Sequence, residues 1–217
     1  MIPGMAGLRE KQKQLRRSEM LKAAMSLFAA KGYSPVKLEE VAETAGVSPG
    51  TLYTYFKSKN DLLLAVVTED FEHGFTLGRQ TVDAPHTDAL AAVNALTGYL
   101  YTNRVGGPTS EMWRFAVAAF MTQPQSHFAR EYEKCLQRQR CQFARLIRNL
   151  QSANLFPKTT DADDFATLLE GAATLSFLEH IRDETASDDD LMSKLHKFNE
   201  QLLSQVTQQA PETTPQV

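Results

Sequence analysis

The chain has 217 residues, 42% of them hydrophobic and 23% charged, with a net charge of −3. That composition is globular and leaves room for two modest domains or one larger helical one, and the lack of any 18-residue apolar run excludes a membrane-spanning helix. The charge is unevenly placed. Residues 1–60 hold ten Lys and Arg against five Asp and Glu, whereas residues 61–217 hold thirteen against twenty-one. A basic head on an acidic body suits contact with nucleic acid, because phosphate neutralisation supplies most non-specific affinity. Cys135 and Cys141 lie six apart on one predicted helix, on different sides and too distant for a disulfide. Free thiols, and no apolar leader at the N-terminus, point to the reducing cytoplasm.

In chain order, residues 1–8 contain Pro3, Gly4 and Gly7 and are expected to be disordered. The run Arg9 to Arg17 (REKQKQLRR) is either a solvated extension of the first helix or a basic arm for a DNA backbone. The first helix proper is predicted over 18–30, with Ala24, Leu27 and Phe28 as its apolar face and Gly32 ending it. Leu38, Val41, Ala42 and Ala45 then mark one buried face of a second helix, which Gly46 stops by taking a left-handed conformation. Ser48 is a suitable N-cap and Pro49 a suitable first residue for a third helix. Leu52 and Phe56 anchor that helix, leaving Thr51, Tyr53, Thr54 and Tyr55 outward. Two short helices across a glycine-containing turn make a helix-turn-helix, whose second helix can enter the DNA major groove. Its outward face carries hydroxyls, which can bond phosphates and base edges.

Ser58 and Asp61 read as a capping pair that opens a fourth helix to about residue 81, with Leu62, Val66, Phe71 and Phe75 inward. Lys59 sits in its first turn, the unfavourable end for a cation, which a nearby phosphate would explain. Further helices are predicted over about 88–104 and 111–121, the latter apolar nearly all round and therefore expected to be buried. Another follows from Pro124 to about 151, with Tyr132, Leu136, Phe143, Ile147 and Leu150 on its apolar face. Its stripe of Arg130, Lys134, Arg138, Arg145 and Arg148 is expected to be a solvated face. Two last helices, about 161–184 and 188–208, precede a Pro-, Thr- and Gln-rich tail over 209–217 that is expected to be disordered. The fold class is thus all-α, with a helix-turn-helix head over 9–58 and a helical body over 59–208.

A resemblance becomes specific within the head. Ala23-Ala24, Leu27-Phe28, Lys31-Gly32-Tyr33, Val41-Ala42, Ala45-Gly46-Val47-Ser48, Gly50-Thr51-Leu52-Tyr53-Thr54-Tyr55-Phe56 and Lys59 resemble the N-terminal domain of the TetR family of bacterial transcriptional repressors, over roughly residues 18 to 66. The resemblance implies a three-helix DNA-binding head on a body of about six helices. It places Ser48, Pro49, Gly50, Thr51, Tyr53 and Thr54 nearest the DNA, with Tyr55 and Lys59 on phosphates. Val36 and Lys37 stand where the family usually has Thr or Ser, so the hydroxyl cap is lost, and Lys37 is left to meet that phosphate by charge.

The family layout also implies palindromic operator DNA, a homodimer and a small-molecule effector. Apolar stripes on the last two helices, Phe165, Leu168, Leu169, Ala172 and Leu175 with Leu191, Leu195, Phe198 and Leu202, are expected to form the dimer as a four-helix bundle. Phe71, Phe75, Tyr99, Asn103, Met112, Trp113, Phe120 and Phe177 are candidates for an apolar effector pocket, with Arg114 available to an acidic group. The function expected is a repressor that releases its operator when a largely hydrophobic molecule binds the body. Two alternatives remain: a DNA-binding regulator controlled by a protein partner, and an enzyme with a borrowed DNA-binding head. The five histidines are scattered, and there is no catalytic triad signature, glycine-rich phosphate loop or CxxC, so neither an enzyme nor a cofactor or metal is expected.

Overall fold

The structure, a computed structural model, describes residues 3–102 and 107–208. Nine helices and no strand occur among the described residues: α1 (Pro3–Lys31), α2 (Leu38–Thr44), α3 (Pro49–Tyr55), α4 (Lys59–Asp83), α5 (Ala89–Tyr101), α6 (Ser110–Thr122), α7 (His127–Ser152), α8 (Ala162–Arg182) and α9 (Asp188–Gln208). The all-α expectation holds. The chain forms two compact units, one of residues 1–70 with 106–132, the other of 71–105 with 133–217.

The units differ from the head and body drawn at residue 59. The first turns of α4, all of α6 and the first turn of α7 group with the head, so the body is not one continuous stretch. The reason lies in contacts far apart in sequence. The Tyr33 backbone N–H donates to Glu111 Oε2 at 3.1 Å, and the Tyr33 and Phe115 rings lie 4.6 Å apart. The N-terminus also departs from expectation: the first helix begins at Pro3, so residues 3–8 are helical where disorder was expected. Lys, Arg, Gln and Glu are good helix formers, and they carry the helix past its packed part. The tail expected to be disordered, 209–217, lies outside the described residues.

In the first unit α1 packs on α2 and α2 on α3, around Met20, Ala24, Phe28, Val41, Ala42 and Leu52. Two glycines fix its turns by positive φ, Gly32 at 82° and Gly46 at 66°. A Cβ on Gly46 would meet nothing within 4 Å, whereas one on Gly32 would sit 3.0 Å from the Glu111 carboxylate. Both Gly→Ala changes carry the left-handed backbone cost of about 1–2 kcal/mol, and Gly32→Ala adds the displacement of Glu111. Thermal unfolding is therefore expected to show Gly46→Ala destabilised by that amount and Gly32→Ala by more. Equal losses would show that the Glu111 contact is unimportant.

Helix α6 corrects another expectation. Met112, Trp113 and Ala116 are buried, but Phe115 is exposed and Met121 is 69% exposed, so the helix is not buried all round. Its apolar surface exceeds what the first unit covers.

The second unit packs α8 on α9 and both on α5. Small residues allow close approach: a Cβ on Gly74 would come within 2.8 Å of the Tyr99 carbonyl. A buried polar cluster crosses the unit, with Asn199 Nδ2 donating to Asn94 Oδ1 at 2.9 Å and Thr97 Oγ1 at 3.1 Å. Glu170, buried on α8, receives Arg140 Nη2 at 3.2 Å. The basic stripe of α7 is exposed as expected, and three of its cations meet carboxylates: Arg138 with Glu72, Arg145 with Asp83 and Arg148 with Asp163. Such exposed pairs contribute little stability. Cys135 is buried, Cys141 exposed, and neither forms a disulfide.

Candidate nucleic-acid interface

The helix-turn-helix is built as its residues dictate. The N-cap of α2 is Lys37, which makes no side-chain cap bond, so the hydroxyl missing from this position is a missing cap. The helix ends in a Schellman motif: Val47 N–H donates to the Ala42 carbonyl at 2.9 Å and Gly46 N–H to Glu43 at 3.0 Å. Ser48 then caps α3, its Oγ accepting from the Thr51 N–H at 3.1 Å, and Pro49 occupies the first turn. Leu52 and Phe56 are buried, and Leu52 ties α3 down.

The opposite side of α3 is free. Ser48, Pro49, Gly50 and Thr54 are exposed, Tyr53 is 40% exposed, and Thr51 and Tyr55 are half-buried. A Cβ on Gly50 would meet only Ser48 Oγ at 4.0 Å, so nothing within the chain requires glycine there. The hydroxyls of Ser48, Thr51, Tyr53 and Thr54 are oriented by neighbours. Thr51 Oγ1 lies 2.8 Å from Ser48 Oγ, and Thr54 Oγ1 donates to the Gly50 carbonyl at 2.9 Å. Tyr53 donates its hydroxyl to Glu39 Oε1 at 2.9 Å, across to α2. Glu39's own backbone N–H, and then this hydroxyl, hold its carboxyl below the usual carboxylate range, while the same bond pushes the Tyr53 phenol up. Glu39 was invisible to pattern reading, since it lies on an exposed helical position and meets Tyr53 only after folding.

Lys59 has an internal partner that sequence reading could not supply. Its Nζ donates to the Ser34 carbonyl at 2.8 Å and lies 4.4 Å from the centre of the Tyr33 ring. Burial, the largest influence, lowers its pKa. Burial also pushes the Tyr33 phenol up to about 12, and that hydroxyl donates to Asn60 Oδ1 at 3.0 Å. Lys59 therefore sits at the start of α4 without needing a phosphate. Lys37 is exposed.

The other candidate residues separate between the units. Met112, Trp113, Arg114 and Phe120 belong to the first, and Phe71, Phe75, Tyr99 and Phe177 to the second. Met112 and Trp113 are fully buried, and Phe120 lies 5.0 Å from Tyr132. Phe71 and Phe75 stack at 6.0 Å, and Phe177 meets Tyr101 edge-on at 6.1 Å. Asn103 lies outside the described residues. Phe75 also lines a surface groove of about 230 Å³ with Arg79, Val82, Arg138, Cys141, Gln142 and Arg145, most of which are not apolar.

The proposed dimer residues need correction. Phe165, Leu169, Leu191 and Leu195 are buried within their own chain, because α8, α9 and α5 pack on one another, so they cannot face a partner. Leu168 and Leu175 are each 56% exposed, and Ala172, Phe198 and Leu202 are half-buried.

A family model for the bacterial regulatory proteins of the tetR family matches residues 20–66, the stretch that holds α2, α3 and most of the packed part of α1. Residues 20–66 belong to the N-terminal domain of the TetR family. Among curated proteins it is 37% identical over 59 residues to the fatty acid metabolism regulator protein of Bacillus subtilis, a match covering 27% of this chain and 30% of that protein. The alignment thus spans less than a third of that relative's length. Likeness of fold reaches further. A TetR-family transcriptional regulator from Mesorhizobium loti superposes with a TM-score of 0.67 at 20% identity, over 88% of this chain and 96% of the other. The transcriptional regulator FadR from Bacillus subtilis, solved in complex with stearoyl-CoA, superposes with a TM-score of 0.66 at 16% identity, over 86% and 97%. At such identities the likeness shows the fold. Within TetR regulators, the head described above corresponds to the DNA-binding domain.

Proposed function

We propose that this TetR-family chain is a homodimeric repressor that binds a palindromic operator and releases it when a largely hydrophobic effector binds. The observation that carries the DNA-binding part is the capped recognition helix α3, whose outward face presents Ser48, Gly50, Thr51, Tyr53 and Thr54 while Leu52 anchors the other side. Polar groups held in place by neighbours suit base-edge and phosphate contact. Lys37, Tyr55 and Lys59 complete the proposed contacts. Lys59, already bonded to Ser34, would reach a phosphate only as a shared donor.

The dimer reading draws support from α8. Leu168, Gly171, Ala172 and Leu175 repeat at three- and four-residue spacing, Gly171 with nothing within 4 Å of an added Cβ. A bare apolar stripe of this kind suits a two-fold helix pair, which Phe198 and Leu202 of α9 would extend. Paired heads would then meet half-sites about 34–36 Å apart. The effector reading draws on the aromatic content of the described helices and on the FadR relative solved with stearoyl-CoA. An acyl-CoA is therefore the class to try first. The test is a duplex-release assay with stearoyl-CoA beside apolar molecules without phosphate. Release by stearoyl-CoA, with a raised melting temperature, is expected, and a duplex complex indifferent to every compound would count against effector control.

Glu39 puts a carboxylate on the face turned to DNA and occupies the Tyr53 hydroxyl. Glu39→Gln removes one charge from beside the phosphates. It is expected to raise duplex affinity roughly fivefold at low salt, the order of effect of one unit charge at contact distance in water. Unchanged affinity, measured by anisotropy at low salt, would place Glu39 away from the DNA.

A further inference from the structure

The helix-turn-helix itself is poor in the charge DNA demands. Residues 38–56 contain Glu39, Glu40 and Glu43 and no Lys or Arg. Of the flanking cations, Lys37 and Lys57 are exposed, whereas Lys31 is paired with Glu40 and Lys59 is bonded to Ser34. Two exposed lysines beside three glutamates leave much of the phosphate neutralisation to other parts of the head.

The N-terminal part of α1 holds that charge. The helix runs 29 residues, but its buried face begins at Met20; residues 7–16 are exposed at every position. About 15 Å of helix, at 1.5 Å per residue, thus stands free of packing. Arg9, Lys13, Arg16 and Arg17 fall at i, i+4, i+7 and i+8, one face of that helix, while Lys11 lies on the other side. Arg17 is tied to Glu69 at 3.8 Å, and its guanidinium lies 6.0 Å from the centre of the Phe56 ring. Phe56 is the C-cap of α3. The bare helix therefore leaves the packed core beside the end of the recognition helix. Among the described residues, Arg9, Lys13 and Arg16 have no carboxylate partner, and Glu10 is bonded to Gln14. Leu8 and Leu15 are exposed too, but two leucines one heptad apart fall short of the several heptads a coiled-coil partner would need. The family model begins at residue 20, so this stripe lies outside the stretch it covers.

We propose that the Arg9–Lys13–Arg16 face is a second DNA contact, a rigid helical arm that grips phosphates flanking the footprint of the helix-turn-helix. The proposal rests on the DNA-binding reading above. It makes affinity depend on flanking duplex, and on salt more steeply than the helix-turn-helix alone would.

The test compares the full chain with an Arg9→Gln, Lys13→Gln, Arg16→Gln variant, and with Lys11→Gln as the opposite-face control. Glutamine keeps helix propensity, and far-ultraviolet circular dichroism checks the fold. The probe is a 40-base-pair duplex recovered from a random library by the parent chain, titrated between 50 and 200 mM salt. Each phosphate contact contributes about 0.9 to the slope of log affinity against log salt, so the triple variant should lose up to about 2.7 from that slope while Lys11→Gln loses little. Trimming the duplex to the core palindrome should erase the difference between parent and triple variant. Equal slopes on the long duplex would overturn the arm while leaving the regulator reading intact. A parent chain that recovered no duplex would overturn both.

Discussion

A chain carrying Leu168→Lys and Leu175→Lys is expected to remain folded and to run as a monomer. Both leucines are 56% exposed in the single chain, so lysine costs the isolated fold little. Across a two-fold interface each change counts twice. Four half-exposed leucines lost from a buried seam, at about 0.8–1.7 kcal/mol each, remove roughly 3–7 kcal/mol, at least on the order of a hundredfold in dimer dissociation. Sedimentation at micromolar concentration reads the result directly, and operator affinity should fall with it because one head alone holds one half-site. A variant that stays dimeric would move the interface off α8. Phe165→Lys is the contrasting case: that residue is buried in its own unit, so the expected outcome is a misfolded chain.

The second large effect belongs to α3. Lys37→Ala, Thr51→Ala and Tyr53→Ala together remove one charge and two hydroxyls from the outward face and leave Leu52, Phe56 and the Ser48 cap in place. At about 1 kcal/mol per contact, the sum is roughly 3 kcal/mol, or on the order of a hundredfold in operator affinity. The melting temperature should change little, because these side chains are exposed or half-exposed. Ser48→Ala is a less clean change, since it also removes the cap of α3 and about 1 kcal/mol of stability.

What the sequence made legible, and what it hid, follows the range of the interactions. Gly46, Ser48 and Pro49 act through their own backbone or the next turn, so their turn and cap could be read from residue type alone. The missing cap at Lys37 was legible only against the Thr or Ser usual at that position in the family it resembles. Among the described residues, the helices and, α1 apart, their approximate ends came from apolar spacing. The contacts that draw α6 to the head were not legible: Tyr33 and Glu111 are 78 residues apart, and neither stands out by pattern. Nor was the partner of Lys59, a backbone carbonyl, which any residue could supply. On α8, periodicity marked an apolar surface without saying which part of it faces α9 and α5. Leu169 went inward and Leu168 outward although they are neighbours, because a helix turns 100° per residue and two faces of α8 are apolar. The extent of α1 was hidden by Pro3, Gly4 and Gly7, which argued for disorder, against a following run of strong helix formers.

The central claim is that α3 reads operator DNA, and selection from a random duplex library tests it most directly. The purified chain should enrich a palindrome whose half-site centres lie about one helical turn apart, and the Lys37, Thr51 and Tyr53 alanine variant should fail to enrich it. No enriched sequence, or the same palindrome recovered equally well by that variant, would contradict the account.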